Sequence, residues 1–128
     1  MSKDVIKLEH VWKIFGENAQ AAMQAIETRN LSKAQVLDEF KCVVGIADCS
    51  FSVKKGEVFC VMGLSGSGKS TMVRHLNRLI EPTTGSIEVL GKDIRALSDI
   101  ELRAMRAREI GMVFQHMALL PHRTVRDN

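Results

Sequence analysis

Ile6, Leu8 and His10 alternate with Lys7 and Glu9, a period of two that predicts a strand running toward Trp12. Asn18 to Arg29 (NAQAAMQAIETR) is rich in Ala, Gln and Glu, residues that lose little on entering a helix, and predicts one. A second, short helix is expected from Ser32. Gln35 three residues on completes a capping box, and Leu31 with Val36 can close a hydrophobic staple. Cys42 to Val53 (CVVGIADCSFSV) is β-rich and ends in the turn Lys54-Lys55-Gly56-Glu57, which feeds an apolar strand from Val58 to Met62. After a glycine-rich segment, Met72, Val73, Leu76, Leu79 and Ile80 recur at helical spacing. That helix is expected to stop before Glu81-Pro82, because a residue ahead of proline avoids the helical region. Thr83-Thr84-Gly85 reads as a turn and Ser86 to Leu90 as a strand closed by Gly91-Lys92-Asp93. Ser98 with Glu101 forms a second capping box ahead of a helix to about Arg108, and Ile110 to Phe114 (IGMVF) predicts a last short strand. Strands on both sides of the glycine segment, joined by short turns, imply some antiparallel pairing in an α+β or α/β sheet.

The glycine segment itself, GLSGSGKST over 63–71, carries the chemistry. It fits G-x-x-x-x-G-K-[ST], with Gly63, Leu64, Ser65, Gly66 and Ser67 leading to Gly68, Lys69, Ser70 and Thr71. Glycines let the backbone curl until successive N–H groups point inward as a concave anion nest, and the helix that follows adds its positive end. Lys69 supplies a point charge for the β- and γ-phosphates, and the Ser70 hydroxyl can ligate Mg²⁺. A strand before and a helix after are the context this chemistry needs, so the loop is expected to bind a nucleotide phosphate. The motif alone leaves ATPases, GTPases and small kinases open.

Composition narrows the setting. At 128 residues with 45% apolar residues, the chain has the length and core of one domain. A net charge of +3 permits an anionic partner and selects none. Cys42, Cys49 and Cys60 lie in apolar surroundings without CxxC spacing and are expected to be reduced core thiols of a cytoplasmic protein. The charged start MSKDVIK has no apolar core of a signal peptide, and no run nears the roughly 20 apolar residues of a membrane span, so a soluble chain is expected.

The string LSGSGKST, followed by LNRLIEPTTG and then by a stretch ending in Phe114-Gln115, resembles the ATP-binding-cassette family. Gln115 falls 46 residues beyond Lys69, where that family ends a strand in glutamine. The segment between Phe15-Gly16 and the next strand, including LSKAQVLDEF, is longer than in ordinary cassettes. With MVFQHMALLPHRTVRDN it resembles the bacterial glycine betaine/proline betaine importers, and the likeness runs from about Ile6 to Asn128. The resemblance implies the N-terminal part of a P-loop NTPase of this type: an antiparallel β subdomain plus the start of a parallel core sheet with flanking helices. Within 1–128 it implies a subfamily helical insert over 17–41, the phosphate loop (Walker A) over 63–71 and the Q-loop at residue 115. It makes ATP and Mg²⁺ the ligands, with Ser70 and Gln115 on the metal, Gln115 also on the attacking water, and Phe15 stacked on adenine, where Trp12 is the rival. It further implies a transmembrane permease subunit facing 115–128, a second ATPase subunit, and a place on the inner face of the plasma membrane in osmoprotectant uptake.

No LSGGQ-type signature and no Asp-Glu pair follows Gln115. The expectation is an incomplete cassette that grips nucleotide without hydrolysing it and that folds poorly alone. A non-catalytic nucleotide- or partner-binding module, or a small kinase using Asp93, are the alternatives. His10, His75, His116 and His122 have no metal-ligand spacing. Arg95, Arg103, Arg106 and Arg108 read as a solvated helix face, not a nucleic-acid track, since no aromatics interleave with them. Asp48, at the end of VVGIAD, reads as a strand-end residue.

Overall fold

The computed structural model describes residues 3–116 and 118–128. Met117, inside the stretch expected to face a permease, lies outside them. The chain runs β1 (Asp4–Phe15), α1 (Ala19–Arg29), α2 (Lys33–Phe40), β2 (Val43–Lys54), α3 (Lys69–His75), β3 (Thr84–Val89), β4 (Lys92–Asp93) and α4 (Asp99–Arg108). Four strands form one antiparallel sheet in the order β2-β1-β3-β4. The antiparallel subdomain expected from the sequence is therefore present, with β1 and β3 as its inner strands.

Local signals act as expected where their partners are local. Ser32 Oγ accepts from the Gln35 N–H at 3.3 Å while the Ser32 N–H donates to Gln35 Oε1 at 2.8 Å, opening α2 with both halves of the capping box. Ser98 and Glu101 open α4 in the same way, at 3.2 and 2.8 Å. The turn after β2 closes through the Glu57 N–H on Lys54 O at 3.0 Å.

Two cores share the long hairpin of β1 and β2. One gathers Leu8, Val11, Ile46, Met72, Ile87, Val89, Ile94 and Met105, seating α3 and α4 against the sheet. The other joins Ile14, Val44 and Cys42 to Ala22, Met23 and Ile26 of α1 and Val36 of α2, with Leu31 and Trp12 at its margin. The helices between β1 and β2 are thus packed elements, and Leu31 and Val36 enter the same cluster as the staple requires.

Several expectations need correction. Val58 to Met62 and Ile110 to Phe114 form no strand: both stay outside the sheet, and Val58, Met62 and Val113 are almost fully exposed. Apolar content supplies only a strand's propensity; the ladder also needs an edge to pair with, and neither segment meets one. The helix after the glycine loop ends at His75 and not at Ile80. Arg78 sits at φ +56° and donates to the Ile94 and Leu97 carbonyls at 3.1 and 2.9 Å. Arg106 donates to the Asn77 and Arg78 carbonyls, so α4 satisfies groups that a continuing helix would have bonded internally. Arg106 is accordingly a half-buried brace, unlike the solvated residue its spacing suggested. Cys60 is exposed and not a core thiol, although all three cysteines are free. Asp48 lies inside β2 at φ +46°, where its carboxylate meets His10 Nδ1 at 2.8 Å across an irregular stretch of the hairpin.

Candidate nucleotide site

The loop 63–71 rises from the exposed segment 58–62 and turns into α3, whose N-cap is Gly68. Gly66 and Gly68 adopt φ +80° and +100°, a region that side chains rarely enter. Gly68 is also pressed against β2: a Cβ there would come within 2.6 Å of the Gly45 carbonyl oxygen. The loop's curl therefore rests on backbone lying directly on backbone, which requires glycine.

Lys69 folds back over the loop and donates from Nζ to the Gly63 and Leu64 carbonyls at 2.5 and 2.8 Å. An ammonium has three N–H donors, so this grip leaves one to point elsewhere. The Ser67 N–H donates to Leu64 O at 3.1 Å and closes the loop's tip, where Leu64, Ser65 and Gly66 are exposed. Thr71 is half-buried, and its carbonyl accepts from His75 Nδ1 at 2.7 Å.

Two clefts meet at Lys69. The first, about 510 Å³, runs between Gly45, Ile46 and Ala47 of β2, Phe59 to Met62, and Ser67, Gly68 and Lys69 of the loop. Phe51 and Phe59, stacked at 4.8 Å with ring planes 10° apart, hold one of its walls. The second, about 380 Å³, has Lys69, Ser70 and Arg74 on one side and Phe114, Gln115 and His116 on the other. Lys69 and Ser70 of the loop thus share a cleft with Gln115 from far along the chain. Ser70 and Gln115 offer neutral oxygens, the hard donors that Mg²⁺ accepts beside phosphate oxygens and waters.

Phe15, 40% exposed as a residue, ends β1 with its ring against Gly45 and beneath the Lys13 ammonium at 5.1 Å. Gly45 in turn touches Gly68, so the ring lies one residue from the phosphate loop. Trp12, the rival aromatic, is half-buried on the core of α1 and α2. Two cationic residues of the clefts escape the sequence pattern, Lys33 in the first and Arg74 in the second. Arg74 could have been found from its position one helical turn beyond Ser70. Lys33 comes from the helical segment between β1 and β2, and no spacing rule ties it to the loop.

A sheet of this order, a glycine loop entering a helix and a glutamine segment folded onto it define the N-terminal part of a P-loop fold. The sequence profile of the ABC transporter family matches residues 46–128, and the chain belongs to that family. It is 52% identical over 123 residues to the glycine betaine/proline betaine transport system ATP-binding protein ProV of Escherichia coli, covering 96% of this chain and 30% of that protein. It is 47% identical over 128 residues to the trimethylamine N-oxide transport system ATP-binding protein TmoW of Pelagibacter ubique, covering all of this chain and 37% of the relative. The chain thus spans about a third of the length of these relatives. Among solved structures, the dimeric post-hydrolysis state of the ATP-binding cassette MJ0796 bound to ADP and Pi superposes with a TM-score of 0.68 at 28% identity. That superposition covers 91% of this chain and 41% of the other. No helix among the described residues is long and apolar enough to cross a membrane.

Proposed function

We propose that this chain grips a Mg²⁺-nucleoside triphosphate at residues 63–71, as the N-terminal part of the energy-coupling ATPase subunit of a quaternary-amine importer. The observation that carries the reading is the convergence of Lys69, Ser70 and Gln115 on one cleft. Lys69 neutralises the β- and γ-phosphates, the backbone of Gly66 to Thr71 wraps them, and Phe15 takes the adenine face. Ser70 and Gln115 would hold Mg²⁺, which would offset the negative charge of the phosphates. Residues 17–41 are the insert of the subfamily, and 115–128 form the surface toward a membrane permease. The names of the two relatives, both ATP-binding proteins of transport systems for methylated amines, support the choice of cargo. A dimeric cassette as structural neighbour supports a second ATPase subunit as partner.

Calorimetry with Mg²⁺-ATP tests the core of this proposal. Lys69→Ala removes a charge-assisted contact worth about 1.5–3 kcal/mol, a roughly tenfold to hundredfold weakening. Equal affinity of the wild-type chain and Lys69→Ala would overturn it.

A further inference from the structure

We infer that Lys33, from the helical segment between β1 and β2, is a second phosphate-binding cation of the nucleotide site; this rests on the reading of residues 63–71 as that site. Lys33 lines the first cleft together with Ser67, Gly68 and Lys69, although 36 residues separate the two lysines. It forms no ion pair among the described residues, whose pairs join Lys7 to Glu9, His10 to Asp48, Arg29 to Glu39, and Arg78 to Glu81 and Asp99.

The position of Lys33 is electrostatically awkward for the helix that carries it. It is the first residue of α2, directly after the Ser32 cap, and the first turn of α2 holds no acidic residue. A helix N-terminus carries partial positive charge and favours carboxylates, so a lysine there works against its own helix. The same cap geometry at α4 places Asp99 and Glu101 in the first turn, as that rule expects. A residue that breaks a local preference without local compensation points to a task outside its element. Here Lys33 lines the same cleft as Ser67, Gly68 and Lys69 of the loop.

The fold also makes the placement firm. Val36, one turn beyond Lys33, is fully buried in the second core, and the capping box fixes the turn that Lys33 begins. Cys42 and Val44 tie the end of this segment to β2, whose next residues Gly45, Ile46 and Ala47 are the cleft's opposite wall. Lys33 thus stands on a packed helix. The ligand class this suits is a polyphosphate carrying several negative charges, held between Lys33 and Lys69. In this assignment the helical segment is a working part of the nucleotide site and not an external decoration.

The test compares Lys33→Gln, Lys33→Arg, Lys33→Glu and Lys69→Ala in the 128-residue chain, titrated with Mg²⁺-ATP, inorganic triphosphate and adenosine. Lys33→Gln should weaken ATP and triphosphate by about three- to tenfold, leave adenosine unchanged and flatten the salt dependence of ATP binding. Lys33→Arg should restore most of the affinity. Lys33→Glu should weaken ATP further while raising the unfolding midpoint of the free chain, because a carboxylate suits the start of α2. Opposite signs for binding and stability separate a ligand contact from a folding defect. Wild-type affinity in Lys33→Gln beside a clear loss in Lys69→Ala would overturn this inference and leave the phosphate loop intact. Wild-type affinity in both would overturn the nucleotide site itself. An equal loss for adenosine would assign Lys33 to packing and also overturn the inference.

Discussion

Gly45 offers a way to move the Phe15 ring without touching it. A Cβ built on Gly45 falls 2.6 Å from Phe15 Cε2 and 3.2 Å from Cδ2. Carbon atoms pack at about 3.5–4.0 Å, so Gly45→Ala forces the ring edge back by about 1 Å. The ring is the free end of a side chain, 40% exposed at the end of β1, and can yield. Turning it off its rotamer costs about 0.5–1.5 kcal/mol. Replacing a strand glycine by alanine returns about 0.5–1 kcal/mol in backbone entropy. Gly45 has no left-handed φ to oppose the change, so the net effect on stability should be within about 1 kcal/mol.

Base stacking should suffer instead. An aromatic pair contributes about 0.5–1.5 kcal/mol, so displacing the ring should weaken ATP by about two- to twelvefold. Inorganic triphosphate, which has no base, should bind unchanged; this also checks that the Gly45–Gly68 contact beneath the loop has survived. Calorimetry of both ligands on Gly45→Ala, Phe15→Ala and the double variant completes the cycle. The two substitutions act through one ring, so the double variant should be no weaker than Phe15→Ala. If Gly45→Ala binds ATP like the wild-type chain while Phe15→Ala does not, the ring's place over Gly45 is irrelevant to binding. If Trp12→Ala rather than Phe15→Ala loses ATP selectively, the adenine platform is Trp12.

His75 gives a pH signature. It is fully buried, donates from Nδ1 to Thr71 O, and its Nε2 has no partner among the described residues. Burial, reinforced by the Lys13 cation and opposed by the Thr71 carbonyl, holds the imidazole below its usual value. The folded state thus stays neutral while the unfolded chain protonates near its reference value of about 6.5, so stability should hold above that pH and fall as pH drops below it. Urea titrations at pH 7.5 and 5.5 should show this loss in the wild-type chain and little of it in His75→Phe; an equal loss in both would assign it elsewhere. The apolar residues exposed over 58–62 and around Val113 and Phe114 should make the isolated chain self-associate, and Mg²⁺-ATP should reduce this by mass action on the folded state. A monodisperse monomer on a sizing column, with phosphate release that vanishes in Lys69→Ala, would refute both this and the expected lack of hydrolysis. In a whole transporter containing this sequence, uptake should favour a quaternary amine such as glycine betaine; rescue of an unrelated solute alone in a deletion strain under salt stress would count against that cargo.

What the sequence determined by itself is whatever closes within a few residues. Ser32 with Gln35 and Ser98 with Glu101 meet inside one helical turn, so both helix starts are legible from side-chain type and spacing alone. The curl of the glycine loop is legible for the same reason, since it closes within a few consecutive residues, whereas the bonds from Lys69 Nζ to the Gly63 and Leu64 carbonyls are seen only in the structure. Tertiary structure decided everything that needs a distant partner. The helix over 72–80 has the right apolar period, yet it stops at His75, and beyond it Arg78 and Arg106 bond the segment to the chain before α4 and to α4 itself. Val58 to Met62 and Ile110 to Phe114 have strand composition but no ladder, because half of a strand's hydrogen bonds belong to its neighbour. Gln115 lines one cleft with Ser70, and Lys33 another with Lys69, only once the sheet and its two cores have brought separate helices and loops together. Hydrogen bonds inside a turn can be read from spacing, whereas a cleft wall is set by packing between elements that no local period connects.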